Sequence, residues 1–319
     1  MAHSVSRLGE KEYKAKLSEP LMKSKDKMSP TWIGRWTARD LLHGAVVVVV
    51  HVLCLFAPFT FSWDAFWVAV VHYLISGLLG ITLCYHRCLS HSSFKLPRTL
   101  EYLFAYFGLQ ALQGGPLFWV STHRYHHKST DTMKDPHSPI EGFWHSHISW
   151  IVDENYLARK GEKYVNVVDL KKQGYYRFLE KTLFLQIFLL MVSLYAWGGF
   201  PYLVWGMGVA NTWGYHVTFM VNSVCHTWGH QAWNTKDLSK NNWLVALVTF
   251  GEGWHNNHHA FEYSARQGLE WWQIDMTWWA IKLLEHFGLA TNVKVPTEDQ
   301  KEKMSFKKNN EEWVKLVSD

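Results

Sequence analysis

The sequence predicts an all-α integral membrane protein with four transmembrane helices in two hairpins. Of its 319 residues, 48% are hydrophobic and 18% are charged, whereas soluble domains usually contain about 25% charged residues. The apolar residues form segments close to the ~20 residues that cross a bilayer at 1.5 Å per residue. We therefore expect spans near residues 41–59, 64–85, 183–199 and 201–221.

The distribution of charge predicts the orientation of these spans. The loops within each pair, around Ser62 and Gly199, are short and uncharged. Residues 1–40 contain nine Lys and Arg, and residues 123–182 contain ten more. The positive-inside rule therefore places both termini and the central loop in the cytosol. The net charge of +5 suits anionic lipid headgroups and predicts no nucleic-acid partner.

One membrane domain with two polar tails is expected from these patterns. Residues 1–40 form a polar cytosolic tail, 41–290 the membrane domain and 291–319 a second polar tail. The N-terminus lacks the apolar run of a signal peptide and contains more acidic residues than a plastid transit peptide. We therefore expect a multi-pass protein of the endoplasmic reticulum membrane, with a plastid membrane as the alternative.

Further apolar stretches outside the four spans predict a helical cap on the cytosolic side. Leu100–Val120 is interrupted by Gln and Gly residues, so we interpret it as an interfacial or re-entrant segment. Asn242–Phe250 resembles it in composition. Trp271–Phe287 contains four Trp, which suit a membrane interface.

Three short clusters contain eight histidines, the commonest transition-metal ligands in proteins. One cluster has the spacing HxxxxH, and two have the spacing HxxHH. Positions i, i+3 and i+4 share a helix face, so each HxxHH cluster is expected to direct its imidazoles to one point. The eight candidates are His86, His91, His123, His126, His127, His255, His258 and His259.

A ninth imidazole is expected from the fourth span. Asn222 and His226 continue that span and lie four residues apart on one face. By ligand type, an all-imidazole set fits iron, copper or zinc. Iron and copper, which are redox-active, account for nine ligands better than zinc does, because a catalytic zinc site uses three protein ligands and an open position.

These motifs resemble those of the membrane fatty-acyl desaturases. The third cluster lies in the string Gly-Glu-Gly-Trp-His-Asn-Asn-His-His, which begins at Gly251. The strings at Gly80–Arg87, Asp135–Ser138 and Asn222–His226 resemble the stearoyl-type Δ9 branch. Phe118–His127 resembles its plant and cyanobacterial acyl-lipid members. The resemblance covers residues 40–290.

The resemblance implies an O2-dependent enzyme that inserts a cis double bond into a saturated acyl chain. It implies a cofactor of two Fe2+ ions held by the nine histidines, with Asn222 contributing through water. Gln113 matches the residue around which the acyl tunnel bends, and Tyr85 and Leu74 are candidates for its lining. Two external electrons are expected from cytochrome b5 and its reductase, or from ferredoxin in a plastid.

The acyl carrier stays open, because the chain departs from the animal acyl-CoA members. Where those members place cations for the coenzyme A phosphates, this chain has Ser121-Thr122 and Glu154-Asn155, and Gly114 replaces an Asn. Either acyl-CoA or a membrane glycerolipid therefore suits the sequence. The nearest basic residues that could replace the missing clamp are Arg124, Lys128, Arg159 and Lys160.

Two alternatives accompany the desaturase. A membrane di-iron hydroxylase or sterol oxidase would share the clusters. A His-rich metal-binding or transport protein, or a haem protein, would instead need polar residues inside the spans. His137, His145 and His147 lack a repeated spacing and are interpreted as loop or surface residues.

Overall fold

The computed structural model describes residues 36–152 and 164–306. These ranges contain helices and isolated β-bridges but no β-strand, which confirms the predicted all-α class. The α-helices are Ala38–Cys54, Trp63–Tyr73, Arg98–Leu109, Pro116–Ser129, Phe143–His147, Val168–Lys171, Gly174–Lys181, Leu183–Leu203, Ala210–Ser223, Trp243–Val248, His255–Ala260, Met276–His286 and Glu298–Met304. Two π-helices span Leu74–Ser90 and Val204–Val209, and short 3₁₀ turns span Ala57–Phe59, Pro139–Glu141, Ser149–Val152 and Val165–Val167.

The first two long apolar helices begin at side-chain caps. Thr37 caps the helix Ala38–Cys54 in a capping box with Asp40, so this helix begins three residues before the predicted boundary at 41. Ser62 accepts a hydrogen bond from the backbone of Ala65 and begins the next helix. That helix continues to Ser90, five residues beyond the predicted end at 85.

The third long helical run, Leu183–Ser223, contains 41 residues, about twice the number that one crossing needs. It is interrupted at Gly198 and Gly199, where Gly199 has a φ of 67° and a ψ of −157°. Beyond this break the chain turns back, because a Cβ on Gly206 would lie 2.8 Å from a methyl group of Leu194. By length and hydropathy, three helical runs in the described residues could cross a membrane.

Glycines allow the helices of this bundle to approach one another closely. A Cβ on Gly208 would lie 2.8 Å from the backbone nitrogen of Cys54, in the first helix. A Cβ on Gly80 would lie 2.3 Å from the backbone nitrogen of Gly108, in Arg98–Leu109. The π-helix Leu74–Ser90 is thereby packed tightly against the cap.

The cap is less helical than the sequence suggested. The predicted segment Leu100–Val120 contains parts of two helices, which the irregular residues 110–115 separate. In the predicted segment Trp271–Phe287, only Met276–His286 is helical. The predicted C-terminal tail contains one helix, Glu298–Met304. Residues 1–35 and 307–319 of the two predicted tails lie outside the described residues.

Candidate metal centre

The π-helix explains how the HxxxxH cluster converges. In an α-helix, residues five apart point about 140° away from each other, at about 100° per residue. In a π-helix the backbone bonds run from i to i+5, and His91 N–H donates to the carbonyl of His86 over 3.3 Å. The two imidazole centroids lie 5.0 Å apart. The sequence predicted the pair but gave no signal for the π-helix.

The two HxxHH clusters lie on short helices, and each divides its imidazoles between two places. Pro116–Ser129 carries His123, His126 and His127, and His255–Ala260 carries the other three. In both clusters the residues at i and i+4 share one group, while the residue at i+3 joins the other. The expectation that each cluster directs its rings to one point is therefore wrong.

All nine predicted imidazoles converge, in two groups. The five-histidine group consists of His86, His91, His123, His127 and His258, and the four-histidine group consists of His126, His226, His255 and His259. Each of the nine Nε2 atoms lies 2.8–3.3 Å from the Nε2 of a neighbour in the same group.

This arrangement fits two metal ions. Two nitrogen ligands about 2.1 Å from a metal and at right angles to each other lie about 3.0 Å apart, close to the observed spacing. Without a cation or a bridging proton, facing lone pairs at that distance repel. The imidazole set is of a type that binds iron, copper or zinc.

A ring of carboxylates surrounds the nine histidines. Five imidazoles direct Nδ1 at a carboxylate, which fixes their orientation and leaves Nε2 free for a metal. The distances are 3.0 Å for the three aspartate pairs and 3.3 Å for His127–Glu262. The five pairs are His86–Glu252, His126–Asp135, His127–Glu262, His226–Asp131 and His259–Asp237. Sequence reasoning missed these acids, although Asp131, Asp135 and Glu252 lie within a few residues of the clusters.

Burial keeps most of these imidazoles in the form that binds a metal. Burial, and then the neighbouring imidazoles, lower the pKa of His123, His126, His255 and His258 well below its ordinary value. A neutral ring offers the lone pair that coordination requires. His226 differs: burial is the largest single effect and acts to lower its pKa, but the charges of Asp131, Asp135 and Asp237 and the hydrogen bond to Asp131 together raise it.

A largely apolar cavity of about 50 Å³ adjoins the histidines. Its lining includes Trp119, Thr218 and Asn222, together with imidazoles of both groups. Gln113 is buried, donates to the Thr218 hydroxyl over 3.1 Å and accepts from the Trp119 indole over 3.2 Å. Gln113 therefore holds two residues of the cavity wall in place.

The other two candidates for the tunnel lie outside the cavity lining. Tyr85 is fully buried, packs against Trp119 and donates its hydroxyl to the carbonyl of Ala105 over 3.0 Å. Leu74 is 41% exposed on the outer surface of its helix. A place for Leu74 along the acyl tunnel therefore stays a prediction.

Several histidines outside the clusters are more buried than the sequence suggested. His137 and His147 are only 5% and 6% exposed, so neither is a surface residue. His137 lies in a turn, in agreement with the loop interpretation, whereas His147 ends the short helix Phe143–His147. The ring of His137 packs 4.4 Å from that of His126. His147 joins a hydrogen-bonded chain with His216 and, through it, His51 on the first helix.

One of the four possible replacements for a phosphate clamp, Arg124, is committed elsewhere. Arg124 donates to the carbonyls of Leu89 and Ser90 and forms an ion pair with Asp169, so it stabilises the end of the π-helix. Ser121 is buried. Lys128 is exposed. Glu154, Asn155, Arg159 and Lys160 lie outside the described residues.

The structure combines helices apolar and long enough to cross a membrane with two histidine groups that could each hold a metal ion, and sequence comparison supplies the family. The chain belongs to the fatty acid desaturase family, whose sequence model matches residues 65–291. It is an O2-dependent desaturase of fatty-acyl chains, as the family and its relatives show.

Three relatives illustrate the range of activities within this similarity. An acyl-CoA 5-desaturase from Anemone leveillei is 62% identical over 277 residues, which cover 87% of this chain and 86% of the relative. A chloroplastic palmitoyl-monogalactosyldiacylglycerol delta-7 desaturase from Arabidopsis thaliana is 59% identical over 290 residues, or 91% and 78% of the two chains. Delta-9 acyl-lipid desaturase 1 from Arabidopsis thaliana is 49% identical over 303 residues, or 95% and 99%.

These relatives do not establish the expected Δ9 position. The named Δ5 and Δ7 enzymes share more identity with this chain than the named Δ9 enzyme does. They show that the chain desaturates fatty-acyl groups and leave the position of the double bond open.

Proposed function

We propose that this protein inserts a cis double bond into a saturated acyl chain, using two iron ions held by the nine histidines. The observation that carries the proposal is the convergence of nine Nε2 atoms in two groups beside an apolar cavity. When bound, the two ions supply the O2-dependent oxidation that an unactivated methylene pair requires, since no ionisable side chain can attack such a bond.

The protein's own residues position the acyl chain. Ile81, Val221 and Phe250 contribute apolar surface to the cavity, which favours a hydrocarbon chain over water. Trp119 and Thr218, held by Gln113, form part of the same wall beside His86 and His123. A displacement of about 1 Å can cost about 100-fold in rate, so this wall sets which carbon pair reacts.

Asn222 is the proposed tenth contributor to the centre. It lines the cavity beside His126 and His255 of the four-histidine group. Its side-chain amide can both donate and accept, so it can hold a water molecule on the four-histidine site. A water held by Asn222 would compensate for the one imidazole fewer in that group.

The carrier of the acyl chain is CoA or a membrane glycerolipid. The relatives include an acyl-CoA desaturase and a desaturase of a membrane galactolipid. Arg124, a possible replacement for the phosphate clamp, is already engaged by backbone carbonyls and Asp169. We propose Δ9 as the position of the double bond, to be tested against Δ5 and Δ7.

We further propose that the chain crosses the endoplasmic reticulum membrane four times, with both termini on the cytosolic side. The break at Gly198 and Gly199 supports two crossings within Leu183–Ser223, because one crossing needs only about half of its 41 residues. Cytochrome b5 and its reductase are the proposed electron donors, and ferredoxin takes their place if the membrane is plastidial.

Expression in a desaturase-deficient yeast tests this function. We expect new monounsaturated chains, and lipid analysis of their length, bond position and head group identifies the substrate. His126→Ala should abolish the product, whereas His145→Ala, which alters a histidine outside both groups, should leave most of it. Full activity of His126→Ala would contradict the proposed centre.

A further inference from the structure

The carboxylates around the centre are unequally divided between the two groups. In the four-histidine group, three of the four imidazoles direct Nδ1 at an aspartate over 3.0 Å. The side chains of these aspartates are 0%, 4% and 12% exposed, so water screens their charges little. They are Asp135, Asp131 and Asp237, beside His126, His226 and His259 respectively.

Acids near the five-histidine group are fewer and partly neutralised. Glu252 contacts His86, but it also binds the buried guanidinium of Arg87 over 2.9 Å. Glu262 lies 3.3 Å from His127, and its side chain is 58% exposed. Its charge is therefore largely screened by water.

The other three imidazoles of this group have no comparable support. In residues 36–152 and 164–306, no carboxylate oxygen lies within 4.0 Å of Nδ1 of His91, His123 or His258. The Nδ1 of His258 is buried and has no hydrogen-bond partner among these residues. In the four-histidine group, His255 is the one member with no carboxylate oxygen of these residues within 4.0 Å of its Nδ1. An imidazole with an acceptor at Nδ1 is more basic and better oriented as a ligand.

We propose that the two sites bind divalent metal with unequal affinity, and that the four-histidine site binds first and releases last. Two buried aspartates and a third that is 12% exposed stabilise a dication there, while the five-histidine site relies on one shared and one screened glutamate. The inference rests on the proposed two-metal function and adds an order of loading to it. Partial chelation then leaves a protein with one ion, held by the four-histidine group.

Calorimetric titration of the full-length, metal-free protein with Co2+ in detergent tests this order. We expect two binding steps of one equivalent each, with dissociation constants at least about 10-fold apart. Asp237→Asn keeps the size of the side chain but removes its charge, so it should weaken the tighter step by about 10- to 100-fold. Glu262→Gln is the matched control and should leave the tighter step unchanged.

A second measurement on the unaltered protein keeps the test independent of folding in the variants. After addition of one equivalent of Co2+, mass spectrometry should show His226 and His259 protected from diethyl pyrocarbonate more than His91 and His123. Two equal binding steps would overturn the inference. So would preferential protection of His91 and His123, or loss of the tighter step in Glu262→Gln alone. Failure to bind any Co2+ would instead contradict the proposed metal centre itself.

Discussion

His86 and His91 face each other at the end of a π-helix, with ring centroids 5.0 Å apart although they are five positions apart in sequence. The i to i+5 backbone pattern is what makes this spacing suitable for one metal ion. Both rings belong to the five-histidine group. The wider helix thus converts an otherwise divergent pair into neighbouring ligands.

The first prediction tests this pair. His91→Ala removes one ligand from the five-histidine group and leaves the four-histidine group intact. We expect desaturation to be lost and bound metal to fall from two ions per chain to one, measured by elemental analysis of purified protein. His145→Ala is the control and should retain both ions; equal metal loss in the two variants would show that the effect is not ligand-specific.

A second prediction concerns packing of the cap against the π-helix. A Cβ on Gly80 would lie 2.3 Å from the backbone of Gly108, so Gly80→Ala forces two backbones apart. We expect a loss of about 1–3 kcal/mol in stability, seen as a lower thermal midpoint in detergent. Gly214→Ala is the control, because its Cβ would be 3.9 Å from Tyr73. A similar midpoint in both variants would refute the close contact.

A third prediction concerns the position of the double bond. Gln113→Ala removes the hydrogen bonds to Thr218 and Trp119 and loosens the cavity wall. We expect either a shifted double bond or an approximately 100-fold lower rate, resolved by gas chromatography of the products. Gln186→Ala, on a helix outside the cavity lining, should change neither. Unaltered products and rate in Gln113→Ala would exclude the proposed role.

A fourth prediction concerns topology. Single cysteines introduced near Ser62 and Gly199 should react with a membrane-impermeant reagent only from the lumenal side. Cysteines at 170–173, next to the helix Gly174–Lys181, should react from the cytosolic side. Labelling of both regions from one side would contradict the four crossings.

Much of this structure followed from residue patterns, for identifiable reasons. Long apolar segments predicted the membrane helices because bilayer thickness fixes their length. The nine histidines were predicted because HxxHH repeats are unusual and metal ligands must cluster. The division of each HxxHH cluster between two groups was not predicted, since spacing fixes a helix face but not the partners that meet it.

Other features depended on tertiary contacts that the sequence does not display. Arg124 is a cation in sequence, but only its contacts with Leu89, Ser90 and Asp169 show that it caps a helix. Asp237 lies 22 residues before His259, so its contact with that ring depends on the path of the intervening loop. Helix ends also shifted, since caps such as Thr37 precede the apolar run that predicted the span.

The most direct test of the central claim is the iron content of catalytically active protein. Protein purified after expression in iron-rich medium should be assayed for product formation and for iron per chain in the same sample. The two histidine groups predict two irons per active chain, and activity that disappears together with the first iron removed. Full activity with one iron per chain, or with none, would contradict a two-metal desaturase.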